Sequence, residues 1–144
     1  MDQFSLLLKE EATKLGIKYW LNPRRTKPGR ELLVIYDQRF SFLKFKLEYS
    51  YYVRFLEREN TAGSHYHRKK EELLIPLEGI FEIRLKDVDS KEEEILTLNA
   101  LDNTAFYVRT GVAHTVTSKK ERGVLLVIAS NPSRDEDEIE YHLK

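Results

Sequence analysis

Two histidines one residue apart, His65 and His67, stand in the run Gly63-Ser64-His65-Tyr66-His67-Arg68-Lys69-Lys70-Glu71-Glu72. A third, His114, closes the run Arg109-Thr110-Gly111-Val112-Ala113-His114. The chain has four histidines in all, so most of its imidazole is concentrated in these two segments. Imidazole is the commonest metal-ligating side chain and the one best matched to proton transfer near neutral pH. On a strand, residues two apart face the same way, so His65 and His67 can reach one interior point while Tyr66 turns outward. With a carboxylate they would hold one divalent transition metal (Zn, Fe, Mn, Ni or Co) and leave positions for water or substrate. Two glutamates compete for that place. An unbroken strand turns Glu71 inward, whereas a loop or bulge across Arg68-Lys69-Lys70 resets the phase and presents Glu72. Thr110-Gly111 reads as a tight turn that returns His114 to the same interior. The alternative to a metal is a metal-free acid–base pair of histidines. His142 belongs to no pattern.

The rest of the chain must position these side chains. Phe4, Leu6, Leu7, Leu8, Ala12 and Leu15 recur at near-helical spacing and Gly16 follows as a C-cap, which predicts an amphipathic N-terminal α-helix over 1–16. Asn22 to Arg30 is a basic loop marked by proline and glycine. From Glu31 the period becomes two. Leu43, Phe45, Leu47 and Tyr49 alternate with Lys44, Lys46 and Glu48 as a half-buried strand, and Tyr51–Glu57 forms another. Leu73–Leu77 and Ile80–Leu85 flank Glu78-Gly79 as a hairpin. Ile95–Leu98, Thr104–Val108, His114–Thr117 and Val124–Ala129 supply four more. Many short strands at regular intervals predict an all-β antiparallel sandwich or barrel over 31–130, followed by an acidic, solvated tail over 131–144. The expectation is a single domain, 1–144.

Composition narrows the function classes. Lys plus Arg number 24 and Asp plus Glu number 24, so the formal net charge is zero. That balance gives no electrostatic case for nucleic acid or an anionic membrane as partner. With no cysteine, disulfides and thiolate metal sites are out. Asp2, Lys9 and Glu10 interrupt the first apolar patch, and no apolar run approaches the roughly 20 residues of a membrane span. A soluble, cytoplasmic protein is expected.

The histidine segments resemble the two cupin motifs. His65, Tyr66, His67, a four-residue spacer, Glu72 and a six-residue gap to Gly79 match the core of the first motif; Gly111 and His114 match the end of the second. The fixed gap to Gly79 makes Glu72 the ligand by resemblance. Three positions depart from the pattern: the first motif's leading glycine falls on Glu59, and the second motif's glycine and proline fall on Asn103 and Arg109. The resemblance implies a cupin-type double-stranded β-helix, a jelly-roll barrel, and a metal held by His65, His67, Glu72 and His114. The stretch from Gly63 to Gly79, with Lys70, is similar to cupins acting on nucleotide-linked sugars, including the cupin domains of capsular polysaccharide epimerases. The related deoxysugar ketoisomerases use a comparable histidine pair without a metal, and Glu72 and His114 lean away from that metal-free version. Cupins also pair edge strands between subunits, which makes Leu32–Tyr36 a candidate homodimer edge.

These readings combine into a metal-binding isomerase or epimerase of a sugar or related polyhydroxy carbonyl compound, with a sugar or nucleotide sugar as its small-molecule ligand. The ion would polarise a carbonyl oxygen and acidify the adjacent carbon. Tyr52, Tyr107 or an unliganded histidine would serve as the catalytic base. Arg54 and Arg109 would meet substrate phosphate or carboxylate. Tyr49, Tyr51 and Phe55, with Tyr52 and Tyr107, supply aromatic faces for a sugar or for the core. Two other outcomes share the site: an Fe(II)-dependent cupin dioxygenase and a non-catalytic sugar-binding cupin.

Overall fold

The computed structural model describes residues 5–39 and 41–143, without the side chains of residues 25 and 26. Its strands, in chain order, are β1 (Leu7–Ala12), β2 (Gly16–Leu21), β3 (Pro23–Lys27), β4 (Arg30–Leu33), β5 (Tyr49–Phe55), β6 (Thr61–Tyr66), β7 (Glu72–Glu78), β8 (Ile80–Asp87), β9 (Glu93–Asn99), β10 (Thr104–Val108), β11 (Val112–Ser118), β12 (Gly123–Ala129) and β13 (Ile139–Glu140). Single 3₁₀ turns occupy Ala100–Asp102 and Asp135–Asp137. Among the described residues there is no α-helix.

Two antiparallel sheets face one another. One has the order β1-β2-β10-β7-β12-β5, the other β13-β6-β11-β8-β9, and β3-β4 forms a separate ribbon. The chain changes sheet at β5→β6→β7→β8 and again at β9→β10→β11→β12, which is the winding of a jelly roll. Alternation dictates what lies inside. Phe55, Leu74, Phe81, Ile83, Leu85, Phe106, Val108, Val116, Leu125 and Val127 point into the space between the sheets and form the main core. Full burial of such side chains contributes about 1.5–3 kcal/mol each. A second cluster covers the outer face of the six-stranded sheet: Tyr19, Leu21, Leu73, Ile75 and Ile128 meet Leu33, Ile35, Phe42, Leu43, Phe45 and Leu47.

The basic loop expected over Asn22–Arg30 instead forms most of the β3-β4 ribbon, and two larger sequence expectations also fail. The predicted N-terminal helix is a β-hairpin, β1-β2; Phe4 lies outside the described residues. β2 carries Ile17, Tyr19 and Leu21 at period two onto the outer cluster and pairs with β10, so pairing and burial override a weak helical pattern. A helix of this length is marginal without a face to bury, and Leu8 is 67% exposed. The reversal between the strands is fixed by Glu94, whose carboxylate accepts the Thr13 hydroxyl at 2.8 Å and the amide N–H groups of Lys14 and Leu15 at 3.1 and 2.9 Å. Gly16 is no helix cap: a Cβ there would sit 2.3 Å from the Phe106 ring. The second failure is Leu43–Tyr49, which is irregular up to Glu48 because its apolar side chains lie across the outer face of the sheet rather than within it. In the predicted dimer edge, Leu33 and Ile35 also pack on this face, while Leu32 and Tyr36 are exposed.

Candidate active site

The jelly roll brings its chemistry to one end of the space between the sheets. β6 delivers His65 directly opposite His114 on β11. The two strands approach closely because residue 63 is glycine, with φ +100° and no room for a Cβ, which would lie 2.6 Å from the His114 carbonyl oxygen. His67 follows the end of β6, and its carbonyl accepts the Gly111 N–H at 2.9 Å, tying the two histidine segments together. Gly111 takes φ +76° and Asn103 φ +54°, the left-handed conformations that the turns require. Glu59, where the motif's leading glycine would stand, likewise has φ +67°.

Three imidazoles therefore converge, with one ligand atom from each of His65, His67 and His114 within 4.8 Å of the others. The loop from His67 to Glu71 resets the strand phase, so Glu72 faces inward and Glu71 outward. Glu72 Oε1 lies 3.2 Å from His114 Nε2 and 3.8 Å from His67 Nε2. Its other oxygen accepts the Tyr51 hydroxyl at 3.2 Å and faces the Lys70 ammonium at 3.4 Å. Lys70 and Glu72 are each only 2% exposed. Tyr51, His65, Glu72 and His114, with an apolar floor of Val53, Leu74, Val116, Leu125 and Val127, line a cavity of about 110 Å³. Pockets for drug-sized ligands run to about 300–1,000 Å³. This cavity is smaller than that range.

Electrostatics divide the imidazoles. Burial, reinforced by the positive side of His114, pushes His65 down to about 4; burial likewise takes His67 to about 4. Burial also opposes charge on His114, but the hydrogen bond and negative charge of Glu72 more than reverse it, and His114 is raised. Glu72 is held well below the usual carboxylate range: its own burial acts in the opposite sense, and His114 and Lys70 outweigh it. Burial and the negative charge of Glu72 raise Tyr51, which keeps its proton. His65 and His67, both pushed toward the neutral form, thus adjoin a His114 biased toward the cation.

The remaining sequence candidates fall elsewhere. On β5 the inward residues are Tyr51, Val53 and Phe55, so Tyr52 and Arg54 point out; Tyr52 is 57% exposed, with the Arg54 guanidinium 5.5 Å from its ring. Tyr107 lies on the outer face of its strand, stacks near Phe45 and donates to Glu71. Arg109 pairs with Asp87, which it holds down to about 2. None of these four reaches the histidines. His142 is exposed beside Glu140. Tyr51, not Tyr52, lines the cavity, and Lys70 joins without a sequence-assigned role. The phase of β5 was the available signal for Tyr51, since Tyr51, Val53 and Phe55 are its alternating apolar set.

The family model described as "FdtA: WxcM-like, C-terminal" matches residues 21–142. Among solved structures, the sugar 3,4-ketoisomerase QdtA from Thermoanaerobacterium thermosaccharolyticum, in complex with TDP, is 27% identical with a TM-score of 0.77, covering 91% of each chain. A mutant of the same enzyme, in complex with TDP-4-keto-6-deoxyglucose, is 26% identical with a TM-score of 0.75, over 89% of this chain and 88% of that one. The dTDP-6-deoxy-D-glucose-3,5-epimerase RmlC from Legionella pneumophila shares the fold at 12% identity and a TM-score of 0.80, covering 93% of this chain and 77% of that one. No curated protein matches the chain in sequence.

Proposed function

Because the chain belongs to the WxcM-like C-terminal (FdtA) family, we propose that it is an isomerase of a nucleoside-diphosphate-linked keto sugar, moving a carbonyl between adjacent ring carbons as a 3,4-ketoisomerase does. The carrying observation is the pair of imidazoles driven in opposite directions across one small cavity, His65 toward the neutral form and His114 toward the cation, with ring centroids 5.1 Å apart. Groups whose surroundings push their pKa values apart are the acid–base assignments of a site.

The reaction needs no external oxidant. A base removes the proton from the carbon beside the carbonyl, the carbonyl oxygen is protonated, and an enediol results. Loss of the neighbouring hydroxyl proton, with return of a proton to the former carbonyl carbon, completes the shift. The His65 ring has no hydrogen-bond partner among the described residues and lines the cavity, so it is the base. His67 lies behind it, ring centroids 4.7 Å apart. The enediolate's negative charge meets the excess positive charge of His114 and Lys70 over Glu72, and the Tyr51 hydroxyl, donating to Glu72, holds that carboxylate in place. The cavity holds the sugar ring and leaves the nucleotide outside.

The proposed reaction runs without a resident dication, although His65, His67 and His114 converge closely enough to hold one. His114 Nδ1 faces the Val112 carbonyl at 3.1 Å and its Nε2 faces the Glu72 carboxylate at 3.2 Å, two acceptors that an imidazolium satisfies together. Glu72 is already compensated by Lys70. Metal analysis of tag-free protein, beside a His67→Ala variant, is expected to find far less than stoichiometric metal and unchanged turnover after chelation. One ion per chain, lost in the variant, would restore the three-histidine, one-carboxylate site, and iron with oxygen uptake would restore the dioxygenase.

The pH dependence follows from the same groups. As pH falls through about 4, His65 takes up a proton and ceases to be a base. As pH rises above the ordinary histidine value, His114 loses the proton that stabilises the enediolate. The expected kcat/KM on TDP-4-keto-6-deoxyglucose is a plateau bounded by an acid limb near 4 and an alkaline limb above 6.5. An acid limb at the ordinary histidine value would contradict the assignment of His65.

A further inference from the structure

The acidic tail reads from sequence as solvated, yet one of its residues is built into the active-site wall. Asp137 is 8% exposed and ends the 3₁₀ turn that precedes β13, whose residues pair with His65 and Tyr66 on the free edge of β6. Its carboxylate accepts three successive backbone N–H groups: Arg68 at 3.0 Å and Lys69 at 2.9 Å on Oδ1, and Lys70 at 3.0 Å on Oδ2. Its backbone carbonyl lies 3.0 Å from His67 Nδ1.

We propose that Asp137 is the positioning residue of this site, holding the His67–Lys70 loop in shape and fixing His67 as the tautomer whose Nε2 lone pair faces the other histidines. Within four residues the loop must send His67 and Lys70 inward and Arg68 and Lys69 outward. In that conformation the three amides cannot join a strand ladder, and unpaired buried donors are costly. One carboxylate gathers all three, as an anion does in a nest of backbone N–H groups. The tautomer follows because a carbonyl oxygen only accepts, so His67 Nδ1 carries the hydrogen. His67 Nε2 is left buried without a hydrogen-bond partner, its lone pair unclaimed beside the ring of His65. The same tail reaches Lys70 twice, through its N–H to Asp137 and through its ammonium to the Ser133 hydroxyl at 3.0 Å.

That this matters for turnover rests on the acid–base reading above; the tautomer does not. The test compares the wild type with Asp137→Asn and Asp137→Ala by histidine ¹⁵N NMR, turnover of TDP-4-keto-6-deoxyglucose and thermal melting. Asparagine keeps the shape but turns an amide toward donors it should accept from. In the wild type His67 should show one tautomer with Nδ1 protonated, and in folded Asp137→Asn a mixture. Partners that orient a functional histidine typically change function by about 10–100-fold, so kcat should fall by that factor with KM little altered. Unchanged His67 shifts in a folded variant would overturn the proposal, as would a kcat loss no greater than the unfolded fraction explains. Should the wild type not turn the sugar over, the isomerase reading fails alone, because the ¹⁵N comparison still decides the role of Asp137. If Asp137→Asn does not fold, the wild-type tautomer decides: Nε2-protonated His67 would overturn the proposal, and Nδ1-protonated His67 would support it.

Discussion

Replacing His65 with asparagine is expected to lower kcat on TDP-4-keto-6-deoxyglucose by about 10²–10⁴-fold, the usual contribution of a positioned general base. The side chain lines the cavity and is neutral at pH 7, its pKa pushed down to about 4. Asparagine keeps comparable bulk and polarity but cannot take a proton. The fold should be indifferent, because the His65 ring makes no hydrogen bond among the described residues and is only partly buried; the melting temperature should therefore stay close to that of the wild type. Exchange of the sugar's carbon-bound proton in deuterated solvent isolates the first step, because it needs deprotonation but not completion of the carbonyl shift. Exchange should fall with turnover. Wild-type exchange in the variant would assign the base elsewhere, with His67 the nearest candidate.

The strands that build the core beneath the histidines were legible because their signal is local. β7, β8, β10 and β12 coincide with runs of alternating or continuously apolar residues between turn markers, and the core they build is the one that alternation specifies. Phase also resolves the two adjacent glutamates: the loop from His67 to Glu71 sends Glu72 to the histidines and Glu71 to Tyr107. What escaped the sequence depends on contacts distant in the chain. The N-terminal residues extend because β10 offers them an edge, and that edge lies more than eighty residues away. Tyr52, Tyr107 and Arg109 have suitable chemistry, but strand phase and nearby countercharge decide against them; phase puts the tyrosines on outer faces, and Asp87 engages the arginine. Asp137 is hidden by composition. A run of acidic residues reads as solvated, and nothing local reveals that one of them meets three amides nearly seventy positions earlier.

Lys70→Met should cost about 3–5 kcal/mol of stability, the range for breaking one side of a buried ion pair. The ammonium is 2% exposed and stands 3.4 Å from an equally buried carboxylate. Methionine restores the volume but leaves Glu72 with only His114 and the Tyr51 hydroxyl to offset its charge. Those remaining partners put the expected loss toward the lower end, and at about 2–4 °C per kcal/mol for a domain of this size the melting temperature should fall by roughly 10 °C. Denaturant unfolding of Lys70→Met, Glu72→Gln and the double variant completes a thermodynamic cycle. The double variant should be more stable than Lys70→Met alone, since removing the stranded charge removes its desolvation cost. It should also be nearly inactive, because the enediolate would face a His114 no longer held protonated by Glu72. If Lys70→Met instead matches the wild type in stability, the ammonium is not what compensates Glu72. The carboxylate would then be available to another cation, and a metal held by His65, His67 and Glu72 would become the better account of the site.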